Sequence, residues 1–427
     1  MNVGAPEFHK GFSPGTGDLT TGLWPPLGSG EATPSVATLS RVLFVSYAFP
    51  PTGGGGVQRA VKFAKYLPAC GWRPTILTAA NPSVPVQDHD FDRDLDPQTE
   101  ILTARTWEPG YNLKKRLAAG PHSSGTAATS RWQEWLRRSM RKLSLRLFQP
   151  DPQVLWNVSA YRCAARRLTQ LPHDAILVTG PPFSSFAIGC KLKRRFNVPL
   201  ILDFRDEWML AGRYLDNYQQ SQSSLRRQRA TLHKILRDAD AVVTTTQASA
   251  DELRRCCAQA SSSARVTCIY NGFDPEDIVR ADCERRTSAT FQIVYTGTLW
   301  RLTDASSLVT ALEMLADGRP ELASRIELIV AGRRTAAQDS LLQRLRSTSI
   351  RLVCHDYLPH GQALELAAGA DCLLLLLAAE EGAERVVPAK LFEYLALNKP
   401  ILSIVPHGET RELLCKHGND EVCSPDN

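Results

Sequence analysis

The chain has 427 residues, 43% hydrophobic and 22% charged, with a formal net charge of +6. That length holds two ordinary domains, each with its own core, and the mildly basic balance is too weak to argue for nucleic acid while suiting anionic small molecules or an acidic membrane surface. Eleven cysteines, odd in number and outside any C-x-x-C or metal-ligand spacing, exclude a complete disulfide framework within one chain and point to a reducing, cytoplasmic setting.

The first 40 residues are rich in Gly, Pro, Ser and Thr and are expected to form a disordered tail, neither signal peptide nor membrane anchor. No apolar run reaches the ~20 residues that span a bilayer. From Arg41 onward, short apolar runs alternate with helix-period segments, the signature of parallel βαβ units. Strands are expected at Arg41–Tyr47, Thr75–Thr78, Ala175–Thr179, Leu200–Leu202, Ala241–Thr244 and Val266–Ile269. Helices are expected at Val57–Leu67, Ser184–Arg195 and Leu225–Arg237. Between them, Arg131–Phe148 sets Trp132, Trp135, Leu136, Met140, Leu143 and Leu147 on one helical face and five basic residues on the other. Such a helix either lies in an anionic membrane interface or packs its stripe on the first domain.

A break follows at Asn271-Gly-Phe-Asp-Pro275, where turn formers cluster. The alternation then restarts with strands expected at Gln292–Tyr295, Ile326–Val330, Leu352–Cys354, Asp371–Leu377 and Ile401–Val405. The division is therefore a tail (1–40), a first Rossmann-like domain (41–275) and a second one (276–427). Two doubly wound halves leave a cleft at the carboxyl ends of their strands, where open α/β sheets bind ligands.

The chemistry-bearing segments fall at those strand ends. Phe49-Pro-Pro-Thr-Gly-Gly-Gly-Gly56 follows the first strand and opens a helix, so it can bring backbone N–H groups close to an anion, or serve as a mobile linker. It lacks the G-x-G-x-x-G spacing, and the second strand ends Leu77-Thr-Ala-Ala80 without a ribose-holding acid, which disfavours NAD. Thr179-Gly-Pro-Pro-Phe-Ser-Ser185 and Leu202-Asp-Phe-Arg-Asp-Glu-Trp208 end two further strands; Arg205, between Asp203 and Asp206, is a site residue or part of a salt-bridged cluster. In the second half come Tyr295-Thr-Gly-Thr-Leu-Trp-Arg301, Ala331-Gly-Arg333, and Val386-Val-Pro-Ala-Lys-Leu-Phe-Glu-Tyr-Leu-Ala-Leu-Asn-Lys-Pro-Ile-Leu402. His360 is read as a helix-start residue.

In this order the segments resemble those of retaining glycosyltransferases of family 4, in particular a subgroup with D-RD-W and P-KLFEYLA segments. The resemblance implies the GT-B fold: α/β, two Rossmann-like doubly wound domains facing a cleft. It implies transfer of a sugar from a nucleotide-diphosphate donor to a glycan or lipid-linked acceptor, in cell-surface polysaccharide biosynthesis. It puts Arg205, Asp206, Arg301 and Lys390 at the catalytic centre. Gly54, Gly55, Gly56, Arg301, Arg333, Glu384, Lys390 and Glu393 are its donor-binding residues, with Glu393 on the ribose and Lys390 on the phosphates. Family members often carry a histidine where Arg205 stands, and two glutamates spaced E-x7-E. Here Arg385 holds the first of those positions and Glu384 lies one place out of register. No Asp-x-Asp metal motif is evident, so no metal requirement and no cofactor beyond the donor is expected. The chain ends sooner than similar proteins, which reads as a fragment or a naturally shortened C-terminus. A nucleotide-sugar epimerase of the same fold and a non-catalytic nucleotide- or carbohydrate-binding protein are the rival readings.

Overall fold

The structure, a computed structural model, describes residues 39–426 except for 85, 109–148, 211–221, 282–289, 420 and 421. The expected tail up to residue 38 and the basic stretch Arg131–Phe148 lie outside the described residues. The rest forms two parallel sheets, of seven strands in the order β3-β2-β1-β4-β5-β6-β7 and six in the order β10-β9-β8-β11-β12-β13.

The first sheet is built from β1 (Ser40–Val45), β2 (Trp72–Ala79), β3 (Glu100–Ala104), β4 (Ala175–Gly180), β5 (Leu200–Phe204), β6 (Ala241–Thr244) and β7 (Arg265–Cys268). The second comprises β8 (Phe291–Thr296), β9 (Ile326–Ala331), β10 (Arg351–His355), β11 (Cys372–Leu376), β12 (Ile401–Ile404) and β13 (Val422–Cys423). Every pairing among these strands is parallel. Helices cover both faces, so central strands read as continuous apolar runs. β11 is the extreme case: Cys-Leu-Leu-Leu-Leu, all five buried, is a strand despite leucine's helix propensity, because its position in the sheet decides. Side chains alternate between two layers. Leu43 and Val45 join one core while Phe44 joins another. In the second sheet Val294, Leu373 and Leu375 face one side, and Ile293, Tyr295 and Leu374 the other.

Among the elements not expected from the sequence are two strands and a helix. β3 is an edge strand whose residues are mostly half-exposed, and β13 has only two residues. The helix α2 (Asn157–Gln170) buries a small face of Ala160, Ala164, Ala165 and Leu168, too weak an apolar stripe to stand out. The expected helix from Ser184 begins instead as a tight turn, Phe183–Ser185, and becomes α3 only over Phe186–Phe196.

Candidate functional site between the lobes

In each sheet the strand order reverses at one point, between β1 and β4 and between β8 and β11. Ligands of open α/β sheets bind outside such switch points. Here the loops leaving both points meet in one cavity of about 510 Å³. Tyr47, after β1, Pro181 and Pro182, after β4, and Arg205, Asp206 and Trp208, after β5, line it from the first lobe. Trp300 and Leu302, after β8, and Arg385, Val386 and Val387, after β11, line it from the second. The volume falls within the ~300–1,000 Å³ of small-molecule sites.

The glycine loop leads into α1 (Gly55–Tyr66), which buries Val57, Ala60, Val61 and Ala64 at helical spacing. Its polar face carries Gln58, Arg59, Lys62 and Lys65. Gly54 N–H donates to the Tyr357 hydroxyl of the other lobe at 3.2 Å. Gly55 has open space where a side chain would be, and a Cβ on Gly56 would stand 3.3 Å from Arg205 Nη1. The loop thus lies against Arg205. Arg205 Nη2 donates to Pro181 O, and Nη1 is buried with no hydrogen-bond partner among the described residues. Desolvation lowers the Arg205 pKa and raises that of Asp206, whose carboxylate is open to the cavity but walled in by the cleft. Asp203, by contrast, is structural: Arg59 grips it at 3.0 Å and Thr179 Oγ1 donates to it at 2.7 Å.

On the second lobe, Gly297 and Gly332 end β8 and β9 at φ of 131° and 136°, a region only glycine enters readily. A Cβ on Gly332 would meet Gly297 O at 2.0 Å, and one on Gly297 would meet Lys390 Nζ at 2.4 Å. The missing side chains let Lys390 lie along the backbone at the switch point, over the Tyr295 ring at 3.8 Å. Lys390 has no hydrogen-bond or ion-pair partner among the described residues. Burial pushes its pKa down to about 8, against the upward pull of Tyr394 and Glu393.

The other sequence-derived cations sit differently. Arg301 is half-exposed and bound to Glu380 through two hydrogen bonds of 2.8 and 2.7 Å. Arg333 is exposed, while its neighbour Arg334 is the anchored one, donating to Gly332 O and His355 O and pairing with Asp339. Glu384 is exposed and 3.9 Å from Arg385, which itself reaches across to Glu207 at 3.3 Å.

Glu393, in α10 (Lys390–Ala396), accepts from Gln58 Nε2 of the first lobe at 2.6 Å and lies 2.8 Å from His360 Nε2. Burial lowers the His360 pKa, but the hydrogen bond to Glu393 outweighs it and the net shift is upward. His360 begins α9 (His360–Ala368), and its N–H donates to Asp88 Oδ2 at 2.9 Å. The segment Asp90-Phe-Asp-Arg-Asp94 does contain Asp-x-Asp spacing. However, Asp90 accepts from Gly361 N at 3.0 Å. Asp94 meets Asp274 and Asp277 in a three-carboxylate cluster whose centre is the Lys62 ammonium, 2.6, 2.6 and 2.7 Å from the three. That ammonium occupies the centre of the only such group found among the described residues, with Lys65 as a second cation on Asp94 and Asp274, so a metal ion there would have to displace it. Tyr47, Gln58, Trp300 and Arg385 were missed by sequence reasoning. Only Arg385 carried a signal, its place in the E-x7-E register.

No curated protein matches the sequence. Among solved structures the fold is similar to that of α,α-trehalose 6-phosphate synthase from Burkholderia multivorans, with a TM-score of 0.57 and 12% identity over 91% of this chain and 88% of that one. It is similar as well to the E. coli trehalose-6-phosphate structure bound with UDP-2-fluoro glucose, with a TM-score of 0.56 and 11% identity over 91% of this chain and 88% of that one. Anabaena HepE in complex with UDP and glucose scores 0.48, with 16% identity over 88% of this chain and 83% of that one. The two likenesses with TM-scores of 0.57 and 0.56 establish the two-domain GT-B architecture. The family described as Glycosyl transferase 4-like domain matches residues 54–272, from the glycine loop through Arg205 and Asp206 to the end of the first lobe. With just over half of its length matched, the chain belongs to the glycosyl transferase 4-like domain family.

Proposed function

We propose that the chain is a retaining glycosyltransferase that moves a sugar from a nucleoside diphosphate to a glycan or lipid-linked acceptor in cell-surface polysaccharide biosynthesis. In this reading residues 41–275 hold the acceptor and 276–427 the donor. The observation that carries it is Lys390: a half-buried ammonium with no ion-pair or hydrogen-bond partner among the described residues, set beside the bare backbone of Gly297 at a switch point. Such a charge in a cleft is matched by a diphosphate. That a solved structure of similar fold holds UDP-2-fluoro glucose supports the choice of donor class.

Transfer breaks the sugar's C1–O bond, and the electron pair leaves on the diphosphate oxygen, where Lys390 offsets the developing charge. In a single-step route, retention has the acceptor hydroxyl attack from the leaving group's side, with its proton passing to the departing phosphate oxygen. The protein's task is then orientation and charge stabilisation. Arg205 and Asp206 face the reacting end, Glu393 takes the ribose in exchange for Gln58, and Arg301 and Arg333 flank the donor side. We assign no metal to this step.

Calorimetric titration with UDP, GDP and NAD tests the reading. One nucleoside diphosphate is expected to bind, with at least a tenfold loss in Lys390→Met and in Glu393→Gln, and turnover of its sugar conjugate is expected to survive EDTA. NAD binding alone, or no binding by folded protein, would overturn it; turnover without acceptor would favour an epimerase. Described helices are not long and apolar enough to cross a membrane. The basic stretch 131–148 would instead bring the chain to a lipid-borne acceptor. Reversing Arg137, Arg138 and Arg141 to Glu should then abolish binding to anionic vesicles, and retained binding would refute that contact.

A further inference from the structure

We propose that His360 is a positioning residue for the nucleotide: carried by the second lobe and seated against the first, it fixes the Glu393 carboxylate in the orientation that receives the ribose. The proposal rests on the glycosyltransferase reading, in which Glu393 holds the ribose, and deepens it by naming the group that sets that carboxylate.

A glutamate left to itself samples several rotamers, and a ligand that must fix one of them binds more weakly for it. Functional side chains keep their geometry when packing and neighbouring hydrogen bonds lock them beforehand. At Glu393 the lock is the imidazole. His360 Nε2 stands 2.8 Å from Glu393 Oε1, and the two side chains are enclosed, at 16% and 14% exposure. A bare Nε2 lone pair so close to a carboxylate oxygen would be repelled, so Nε2 carries the hydrogen and donates it. Burial lowers the His360 pKa and Lys62 opposes its charge, yet Glu393, with help from Asp277, makes the net shift upward.

The ring is itself held by the first lobe. Phe91 stacks on it with centroids 5.4 Å apart and planes 23° from parallel. Asp88, which is buried, accepts from His360 N at 2.9 Å and from the Tyr357 hydroxyl at 2.8 Å. The next residue is Gly361, whose N–H donates to Asp90 Oδ2 at 3.0 Å and where a Cβ would stand 3.0 Å from that same oxygen. The start of α9 is thus docked on the turn Asp90–Asp94, with the imidazole between Phe91 and Glu393.

The acceptor positions of Glu393 follow from this. An ionised carboxylate oxygen accepts about two hydrogen bonds. Oε1 is filled by His360 and by Gln58 Nε2 at 2.6 Å, whereas Oε2 makes no hydrogen bond among the described residues. With Gln58 displaced, each oxygen has a position open and His360 still holds the group in place. Two vicinal hydroxyls, one donating to each oxygen, match that arrangement, and a ribose has them at C2′ and C3′.

The test reads the ribose hydroxyls themselves. The full chain is titrated calorimetrically with UDP, GDP and their 2′,3′-dideoxy analogues. Wild type is expected to prefer the ribose form of the nucleotide it binds by about tenfold or more, the scale of hydrogen bonds to a charged acceptor. Glu393→Gln should remove that preference. His360→Ala should cut it about fivefold, with no further loss when the two are combined, because they act through one contact. Dideoxy affinity should stay unchanged throughout. His360→Gln presents an amide N–H where Nε2 stands and should keep most of the preference. His360→Asn is too short to reach Glu393 and should lose it, so the two amides read the contact even where alanine destabilises the fold. Equal loss for ribose and dideoxy forms, a preference intact in both His360→Ala and His360→Asn, or a glutamine variant no better than asparagine would overturn the proposal. A preference that survives Glu393→Gln, or none in wild type, defeats the ribose assignment to Glu393 and the proposal with it.

Discussion

Lys390 and Arg301 are both cations at the second switch point, yet their surroundings give them opposite chemistry. Arg301 is 50% exposed and neutralised by Glu380, an arrangement worth little beyond local order. Lys390 has given up much of its hydration without gaining an ion-pair partner among the described residues, and its pKa has fallen to about 8 from the usual 10.5. Burial thus leaves its charge conditional on pH near neutrality. A diphosphate binds the protonated form and raises the pKa on binding, so nucleoside diphosphate affinity should be flat below about pH 7. Above about pH 8 it should fall by up to tenfold per pH unit. Stability moves the other way: between about 8 and 10.5 the unfolded chain binds more protons than the folded one, so this group makes folding more favourable as pH rises. Titrations at pH 6.5 to 9.5 check this, with Lys390→Met as control, in which weak binding should show no such slope. A flat wild-type profile would mean that Lys390 does not meet the phosphates.

At the scale of the elements, the sequence was most legible where burial on both sides forces an unbroken apolar run, as in β4, β8, β9 and β11. The site was legible in part for a related reason: in a parallel sheet, function gathers where strands end, so the glycine loop, Arg205, Asp206 and Lys390 could be picked out by position. What stayed hidden depends on pairing across sequence distance. Arg301 looked free because Glu380 lies 79 residues away. Gln58 resembled any exposed helix residue until Glu393, 335 residues on, came into contact with it. Tyr47, at the end of an expected strand, and Trp300, inside the Tyr295–Arg301 segment, were not singled out, because whether a ring's hydroxyl or face is satisfied is not written in local pattern. β3 and α2 were missed since an edge strand and an alanine-faced helix bury too little to leave a strong period.

The whole molecule is held closed by contacts in which acids of one lobe take up donors of the other. Asp88 and Asp90 receive the N–H groups of His360 and Gly361. In the reverse direction Glu409, which opens α11 (Glu409–Lys416), accepts from Gln247 N at 2.6 Å and Ala248 N at 2.9 Å at the start of the first-lobe helix α5 (Gln247–Gln259). The Tyr270 hydroxyl donates to the same carboxylate. Glu409 is 8% exposed, and a carboxylate on helix N–H groups gains from both hydrogen bonding and the helix dipole. Glu409→Gln keeps the shape but turns one acceptor oxygen into an NH2 group facing an N–H. Leaving that donor unsatisfied costs about 1–3 kcal/mol. Nearly all of that cost falls on the closed arrangement, because an open cleft returns both partners to water. Gln58 adds a further constraint: it takes Glu393 Oε1, on the carboxylate proposed to hold the ribose, so closure without nucleotide competes with nucleotide entry. The two variants should therefore separate. Glu409→Gln should raise the radius of gyration measured by small-angle scattering in nucleotide-free protein. Gln58→Ala should tighten nucleoside diphosphate binding a few-fold, because the competing contact is gone and the groups proposed to meet the phosphates remain. An unchanged scattering profile in the first would mean that closure rests on the hinge cluster of Lys62 and Lys65 with Asp274 and Asp277. Weaker binding in the second would mean that Gln58 serves the nucleotide and does not compete with it.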